Sequence, residues 1–223
     1  MRPEVIVFDV NETLLDLRGL RPVFTEHLGS TDAMGEWFAR LLHGSLVANA
    51  TGRYRSFGTI GIEALLMVAE KRGIDLTADG AEAVVSEMRR LAPHADVVAG
   101  LEVLRSAGYR MVTLTNGSED AVVAQVTNAG ISGFFEANLS VDMVERFKPA
   151  PEVYLLAAAR LGVEIDQMLM VAAHDWDILG ARSVGCPGAY LSRPGAVWSL
   201  PDPLPTITGP DLIAVANRLS ALG

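Results

Sequence analysis

Four short runs of this sequence carry side chains suited to act together on a substrate. The first is Asp9, which closes the run Glu4-Val5-Ile6-Val7-Phe8 and is followed by Asn11 and Thr13. The second is Thr115-Asn116-Gly117-Ser118, polar groups placed to open a helix, where free backbone N–H groups favour an anion. The third is Lys148-Pro149, with Tyr154 six residues on. The fourth is Ala172-Ala173-His174-Asp175-Trp176-Asp177, followed by Gly180-Ala181. An aspartate delivered to the end of a strand has two ordinary uses, as a metal ligand or as a nucleophile. A lysine beside it would keep it ionised and offset charge in a transition state.

The pattern around these runs says how they are positioned. Glu4–Phe8 is a run of strand formers, and after Asp9 the texture turns helical from about residue 21 to residue 91. Ile62–Arg72 carries apolar side chains at helical spacing, Gly73–Thr77 breaks that helix, and Ala78–Leu91 reads as another. Beyond Val97-Val98-Ala99-Gly100, β runs and helices alternate. The β runs are Arg110–Thr115, Met168–Ala172 and Ala189–Ser192; the helices fall near Glu119–Ala129, Pro151–Leu161 and Ile178–Val184. Such alternation predicts parallel strands with crossover helices, so the fold class is α/β with a doubly wound, Rossmann-like core. Residues 1–15 and 96–223 form that core, and residues 16–95 are an inserted helical cap over the C-terminal edge of the sheet. Pro201–Pro210 reads as a proline-rich loop before a closing helix at Asp211–Leu222. There is no internal repeat.

The chain has 223 residues, half of them apolar and a fifth charged, as expected of a soluble globular protein. A formal charge of −9 argues against nucleic acid or an anionic membrane as partner, because both reward basic surface. The single cysteine, Cys186, excludes an intrachain disulfide and reads as a small buried hydrophobe. With no apolar run of membrane-spanning length and no leader pattern, a cytoplasmic location is expected.

Taken in order and at these spacings, the four runs resemble the haloacid dehalogenase superfamily of hydrolases, within it the 2-haloacid dehalogenase branch with a helical cap. The resemblance covers nearly the whole chain. It implies that Asp9 attacks the substrate to form an aspartyl ester that water then hydrolyses. Thr13, Thr115, Asn116, Lys148, Tyr154 and Asp177 match further active-site positions; Thr115 stands where the dehalogenases commonly have serine. Phosphatase relatives place an acid two residues after the nucleophile, where this chain has Asn11. They also place a Mg²⁺-binding aspartate where it has Ala172 and Ala173. Halide needs no protonation to leave and haloacid displacement needs no metal, so the resemblance implies no cofactor; Asp175 is the one residue that would serve as a displaced Mg²⁺ ligand.

Three departures concern substrate binding. Asn11 replaces a tyrosine, and His174 a frequent asparagine. In the cap, aligning Trp37 and Arg53-Tyr54 puts Phe38 where the dehalogenases carry an arginine that grips the halide and substrate. Arg40 lies two residues on, roughly 200° around a helix and so on its opposite face. Either another cation (Arg18, Arg21 or Arg40) takes the role, or the substrate differs from a simple haloacid.

Blander readings stand beside these. Tyr154 suits helix packing as well as a site, and His174 either satisfies a buried hydrogen bond or tunes the carboxylates by titrating. Phe38 and Trp176 read as pocket wall or core. His27, His43 and His94 lack metal-ligand spacing, and Arg89-Arg90 reads as a solvated helix face. The expected function is hydrolytic dehalogenation of a short 2-haloacid. Asp9, Lys148, Asp177 and Thr13 are its catalytic groups; Asn11, Phe38, Arg40, Thr115, Asn116, Tyr154, His174 and Trp176 surround a small carboxylate substrate and the halide. A phosphatase acting on a small phosphate ester, and a degenerate member that binds without turnover, are the alternatives. A homodimer is expected from the resemblance alone.

Overall fold

Val5–Phe8 (β1) is buried on both faces, which is what a central strand of a parallel sheet requires. The computed structural model describes residues 2–222. In it β1 pairs in parallel with Arg110–Thr115 (β2) on one side and Met168–Ala172 (β4) on the other. Ala137–Ser140 (β3), Gly188–Leu191 (β5) and Ile207–Gly209 (β6) complete one six-stranded parallel sheet in the order β3-β2-β1-β4-β5-β6. The order reverses direction between β1 and β4, and a crevice at such a switch point is where open α/β sheets bind ligands. Asp9 leaves β1 at that place and His174 leaves β4.

The helices of the core are Val97–Ser106 (α5), Glu119–Asn128 (α6), Pro151–Leu161 (α7), Asp175–Ser183 (α8) and Leu212–Ser220 (α9). Their ends are written in the local sequence. Ser118 caps α6 by accepting from the Ala121 N–H, and α7 starts on Pro151 and ends on Gly162 in the left-handed conformation. Between β1 and α5 lie four helices: Arg21–Leu28 (α1), Asp32–Thr51 (α2), Phe57–Lys71 (α3) and Ala78–Ser86 (α4). Trp37, wholly buried, ties α2 to α3 by donating its indole N–H to the Gly61 carbonyl at 2.9 Å. The segments entering and leaving this insertion run side by side: the Asp16 N–H donates to Ala92 O, and the His94 N–H donates to Leu14 O. No helix among the described residues is long and apolar enough to cross a membrane.

Four expectations need correction. The Pro201–Pro210 stretch contains the edge strand β6, and β3 lies in a segment with no apolar run to announce it. The helix expected over Ala78–Leu91 ends at Ser86, where the chain tightens into a 3-10 turn over Glu87–Arg90. Finally, α8 starts at Asp175, three residues earlier than its apolar spacing indicated.

Candidate active site

Asp9 continues the ladder of β1 by one bond, its N–H donating to Val171 O at 3.0 Å, so its carboxylate stands at the C-terminal edge of the sheet. Three side chains face it. Oδ1 accepts from Lys148 Nζ at 2.8 Å; Oδ2 accepts from Thr13 Oγ1 at 2.6 Å and faces His174 Nδ1 at 3.2 Å. Thr13 is itself fixed, because its hydroxyl oxygen accepts the Ala173 N–H at 2.9 Å. Burial by itself would push the Asp9 carboxyl up, but the Lys148 charge and the His174 hydrogen bond hold it well below the usual carboxylate range. Asp9 is therefore an ionised carboxylate in a nearly dry site.

Lys148 is 1% exposed and uses all three of its protons. They go to Asp9 Oδ1, to Asp177 Oδ2 at 2.6 Å and to the Leu114 carbonyl at 2.9 Å. Burial works against its charge, yet Asp177 and Asp9 together raise its pKa above the ordinary lysine value. The other Asp177 oxygen accepts from the Tyr154 hydroxyl at 2.7 Å, while burial pushes the Asp177 carboxyl above its ordinary value. Tyr154 is thus both core and site, with no exposed surface. Gly180 makes this approach feasible: a Cβ there would sit 2.7 Å from the Tyr154 hydroxyl and 2.5 Å from Pro149 Cβ.

His174 closes the third side. Its ring stacks on Trp176, with centroids 4.9 Å apart, and faces Phe38 at 6.2 Å. Its Nε2 lies 2.9 Å from Glu12 Oε2. Burial opposes the imidazolium, but hydrogen bonds to Asp9 and Glu12 and their charges raise the pKa to about 10. Because the folded value lies above the unfolded one, this pairing stabilises the protein fully below about pH 6.5, and the gain is lost as pH rises through about 10. Urea unfolding of wild type and His174→Asn should therefore show a stability difference that shrinks by a few kcal/mol (order of magnitude) between neutral pH and pH ~10. A pH-independent difference would contradict the ion pair.

Thr115 and Asn116 are buried at the end of β2, beside the opening turn of α6. Thr115 Oγ1 accepts the Gly117 N–H at 3.0 Å, and Asn116 Oδ1 accepts the Lys148 N–H at 2.9 Å. Among the described residues Asn116 Nδ2 donates to no protein acceptor. The structure brings together Asp9, Thr13, Thr115, Asn116, Lys148, Tyr154, His174 and Asp177, with Phe38 and Trp176 against the His174 ring. It does not bring in Arg40, which is exposed on α2 and makes no ion pair among the described residues. Arg21 is exposed as well, and Arg18 is paired with Asp16. Asn11 is committed elsewhere, since its Oδ1 accepts from Gln125 Nε2 at 2.9 Å.

Three residues around the site were not found by reading the sequence. Glu12 reaches His174 from an irregular turn. Asn49 on α2 pins the backbone of Phe147, next to Lys148, through both of its side-chain polar atoms at 2.8 and 2.9 Å. The buried Arg193 binds the Thr13 carbonyl at 2.7 Å and Asp96 at 2.7 Å. These last two pairings span about half the chain or more, and no local pattern signals them.

Two clefts flank the centre. One, of about 330 Å³, is lined by Glu12, Arg18, His94, His174 and Arg193 among others. The other, about 380 Å³, lies between the insertion and the start of α6, against Asn11, Phe57, Arg89, Ser118 and Gln125. Asp9 itself is 5% exposed.

Comparison with known proteins gives the same picture. The chain is 31% identical to the (S)-2-haloacid dehalogenase H-109 of Pseudomonas putida, over 98% of this chain and 99% of that protein. It is 27% identical to the haloacetate dehalogenase H-2 of a Moraxella strain, over 97% of this chain and 98% of that one. Its fold superposes on the L-2-haloacid dehalogenase of Xanthobacter autotrophicus with chloropropionic acid covalently bound. That match has a TM-score of 0.93, with 24% identity, and covers 99% of this chain and all of the other. A family model for haloacid dehalogenase-like hydrolases matches residues 3–185, and with it the sheet, the insertion and the strand-end carboxylates fall into place: the chain belongs to the haloacid dehalogenase-like hydrolases.

Proposed function

We propose that the protein hydrolyses the carbon–halogen bond of a short 2-haloacid through an ester on Asp9, without a metal. One observation carries this reading: an ionised Asp9 is held by Lys148, Thr13 and His174, with no acid at residue 11 and no carboxylate at residue 172 or 173. A phosphoryl-transfer site needs a proton for the leaving alkoxide and a cation for the phosphate, and these are the positions the chain leaves without them. Among the described residues no three His, Cys, Asp or Glu side chains form a cluster suited to a metal ion. The relatives named above supply the substrate class.

In this reading an Asp9 oxygen attacks the halogen-bearing carbon from behind, and the carbon–halogen electron pair leaves with the halide. Lys148 keeps the nucleophile ionised. The substrate carboxylate sits at Thr115 and Asn116, where the free Asn116 Nδ2 and the opening turn of α6 offer donors. Water then adds to the ester carbon, with Asp177 taking its proton, and a 2-hydroxy acid is released. Residues 16–95 act as the cap, with Phe38 and Trp176 as apolar walls that exclude bulk water during displacement. The acidic surface and the single buried cysteine fit a cytoplasmic enzyme, and homodimerisation follows from the family resemblance.

The test is direct. Purified protein in the presence of a chelator should release chloride from 2-chloropropionate, and should release no phosphate from an aryl phosphate supplied with Mg²⁺. Metal-dependent phosphate release without halide release would replace this reading with the phosphatase one, and silence in both assays would favour a binding protein.

A further inference from the structure

Glu12 has a backbone φ of +62°, one of two non-glycine residues with positive φ among those described. That left-handed region crowds Cβ and favours glycine, so a glutamate held there points to a use for its side chain. The use is visible. Glu12 Oε2 lies 2.9 Å from His174 Nε2, and His174 Nδ1 lies 3.2 Å from Asp9 Oδ2. Carboxylates only accept, so a ring facing one at each nitrogen carries a proton on both and is an imidazolium. The backbone of the Glu12 turn is fixed too, its carbonyl 3.0 Å from His94 Nε2 and its N–H donating to Leu15 O at 2.9 Å.

The two oxygens of Asp9 are not equivalent. Oδ2 meets two donors, Thr13 Oγ1 and His174 Nδ1, which fill both of its lone-pair directions. Oδ1 meets one, Lys148 Nζ, and keeps a lone pair free. Oδ1 is then the atom that bonds to carbon, and Oδ2 becomes the carbonyl oxygen of the ester. Resting on the function proposed above, we propose that Glu12 positions His174 as an oxyanion-hole donor, and that His174 and Thr13 together hold Oδ2 while the Asp9 ester is hydrolysed. Water adds to Asp9 Cγ, the carbonyl electron pair moves onto Oδ2, and a water proton passes to Asp177. On collapse the Oδ2 carbonyl re-forms and the Cγ–Oδ1 bond breaks. Its electron pair leaves with Oδ1, which takes the proton from Asp177 to become the product hydroxyl. The new Asp9 carboxyl loses its remaining proton to solvent.

An oxyanion forms only in the second half of this reaction, so the pair should serve hydrolysis and not displacement. Rapid-quench measurement with 2-chloropropionate separates the two. Glu12→Gln should release about one chloride per site at nearly the wild-type rate and then turn over about tenfold more slowly; His174→Gln should slow about 10²-fold in the same phase. Intact-mass measurement should find the ester on both variants. Glu12→Gly, which the positive φ favours, should behave as Glu12→Gln in the rapid-quench assay and keep a cooperative unfolding transition, which separates the effect from a folding defect. Variants that slow equally in the first and later turnovers, or not at all, would overturn the role while wild-type chloride release left the dehalogenase reading intact. A wild-type protein releasing no chloride would sink both.

Discussion

Asp9→Asn should abolish halide release, lowering kcat by roughly 10⁴-fold or more, while the protein still folds. The amide keeps the size of the carboxylate and removes only the lone pair and charge needed to attack carbon. Folding survives because the charges around the site remain matched. Lys148 keeps Asp177 at 2.6 Å, and His174 keeps Glu12 at 2.9 Å. The variant should also carry no covalent adduct after incubation with 2-chloropropionate, as intact-mass measurement would show. Wild-type turnover by the variant would mean that Asp9 is not the nucleophile, and would favour direct attack by water.

Lys148→Met should be the most damaging change to stability as well as to activity. The ammonium supplies one proton to each of three buried acceptors, and among the described residues Lys148 is the only cation in contact with both Asp9 and Asp177. Removing it leaves two carboxylates facing each other in a dry pocket, at a cost of about 3–5 kcal/mol for breaking a buried ion pair from one side. Part of that penalty is relieved when one carboxylate takes up a proton; Asp177, already pushed up by burial, takes it more readily than Asp9, which keeps His174 and Thr13, and the base that activates water is then lost. Urea unfolding should therefore show a lowered midpoint that recovers partly as pH falls, with halide release down at least 10³-fold throughout. Lys148→Arg should rescue little, because a planar fork does not fit a slot built around one nitrogen atom. An unfolding midpoint equal to that of wild type would show that the ion pair is not what holds Asp9 and Asp177 together.

Much of this was legible in the sequence for one reason. Central strands of a parallel sheet are buried on both faces, so β1, β2 and β4 appear as apolar runs, and each hands a polar group to the same edge of the sheet. Asp9, Thr115 and His174 are located by that rule. Lys148 was found differently, from its place before Pro149 and the helix of Tyr154. The elements that escaped are edge elements. Strand β3, Ala-Asn-Leu-Ser, is half-buried and mixed in polarity, and β6 lies inside a proline-rich stretch that reads as loop. Propensity says little about strands held by one neighbour.

The site was less legible where contacts depend on turns or on distance. Glu12 was passed over because its side chain reaches His174 only through a left-handed turn, which no periodicity encodes. Asn49 and Arg193 act on the loops of Lys148 and Thr13 from far along the chain. Of the arginines expected to replace the one missing at Phe38, Arg18, paired with Asp16, lines the cleft beside His174, while Arg40 makes no ion pair among the described residues. The ring facing Phe38 is that of His174, and its charge comes from the core loop after β4, held by a glutamate of the core.

Covalent catalysis by Asp9 is tested most directly by following the oxygen atoms through a single turnover. With enzyme in excess over 2-chloropropionate in oxygen-labelled water, the hydroxyl of the first product should carry the unlabelled oxygen of Asp9. The label should appear in the Asp9 carboxylate, where peptide mass spectrometry can find it. Label in the product hydroxyl after that single turnover, with none in Asp9, would mean that water attacks the substrate directly and that Asp9 is not the nucleophile.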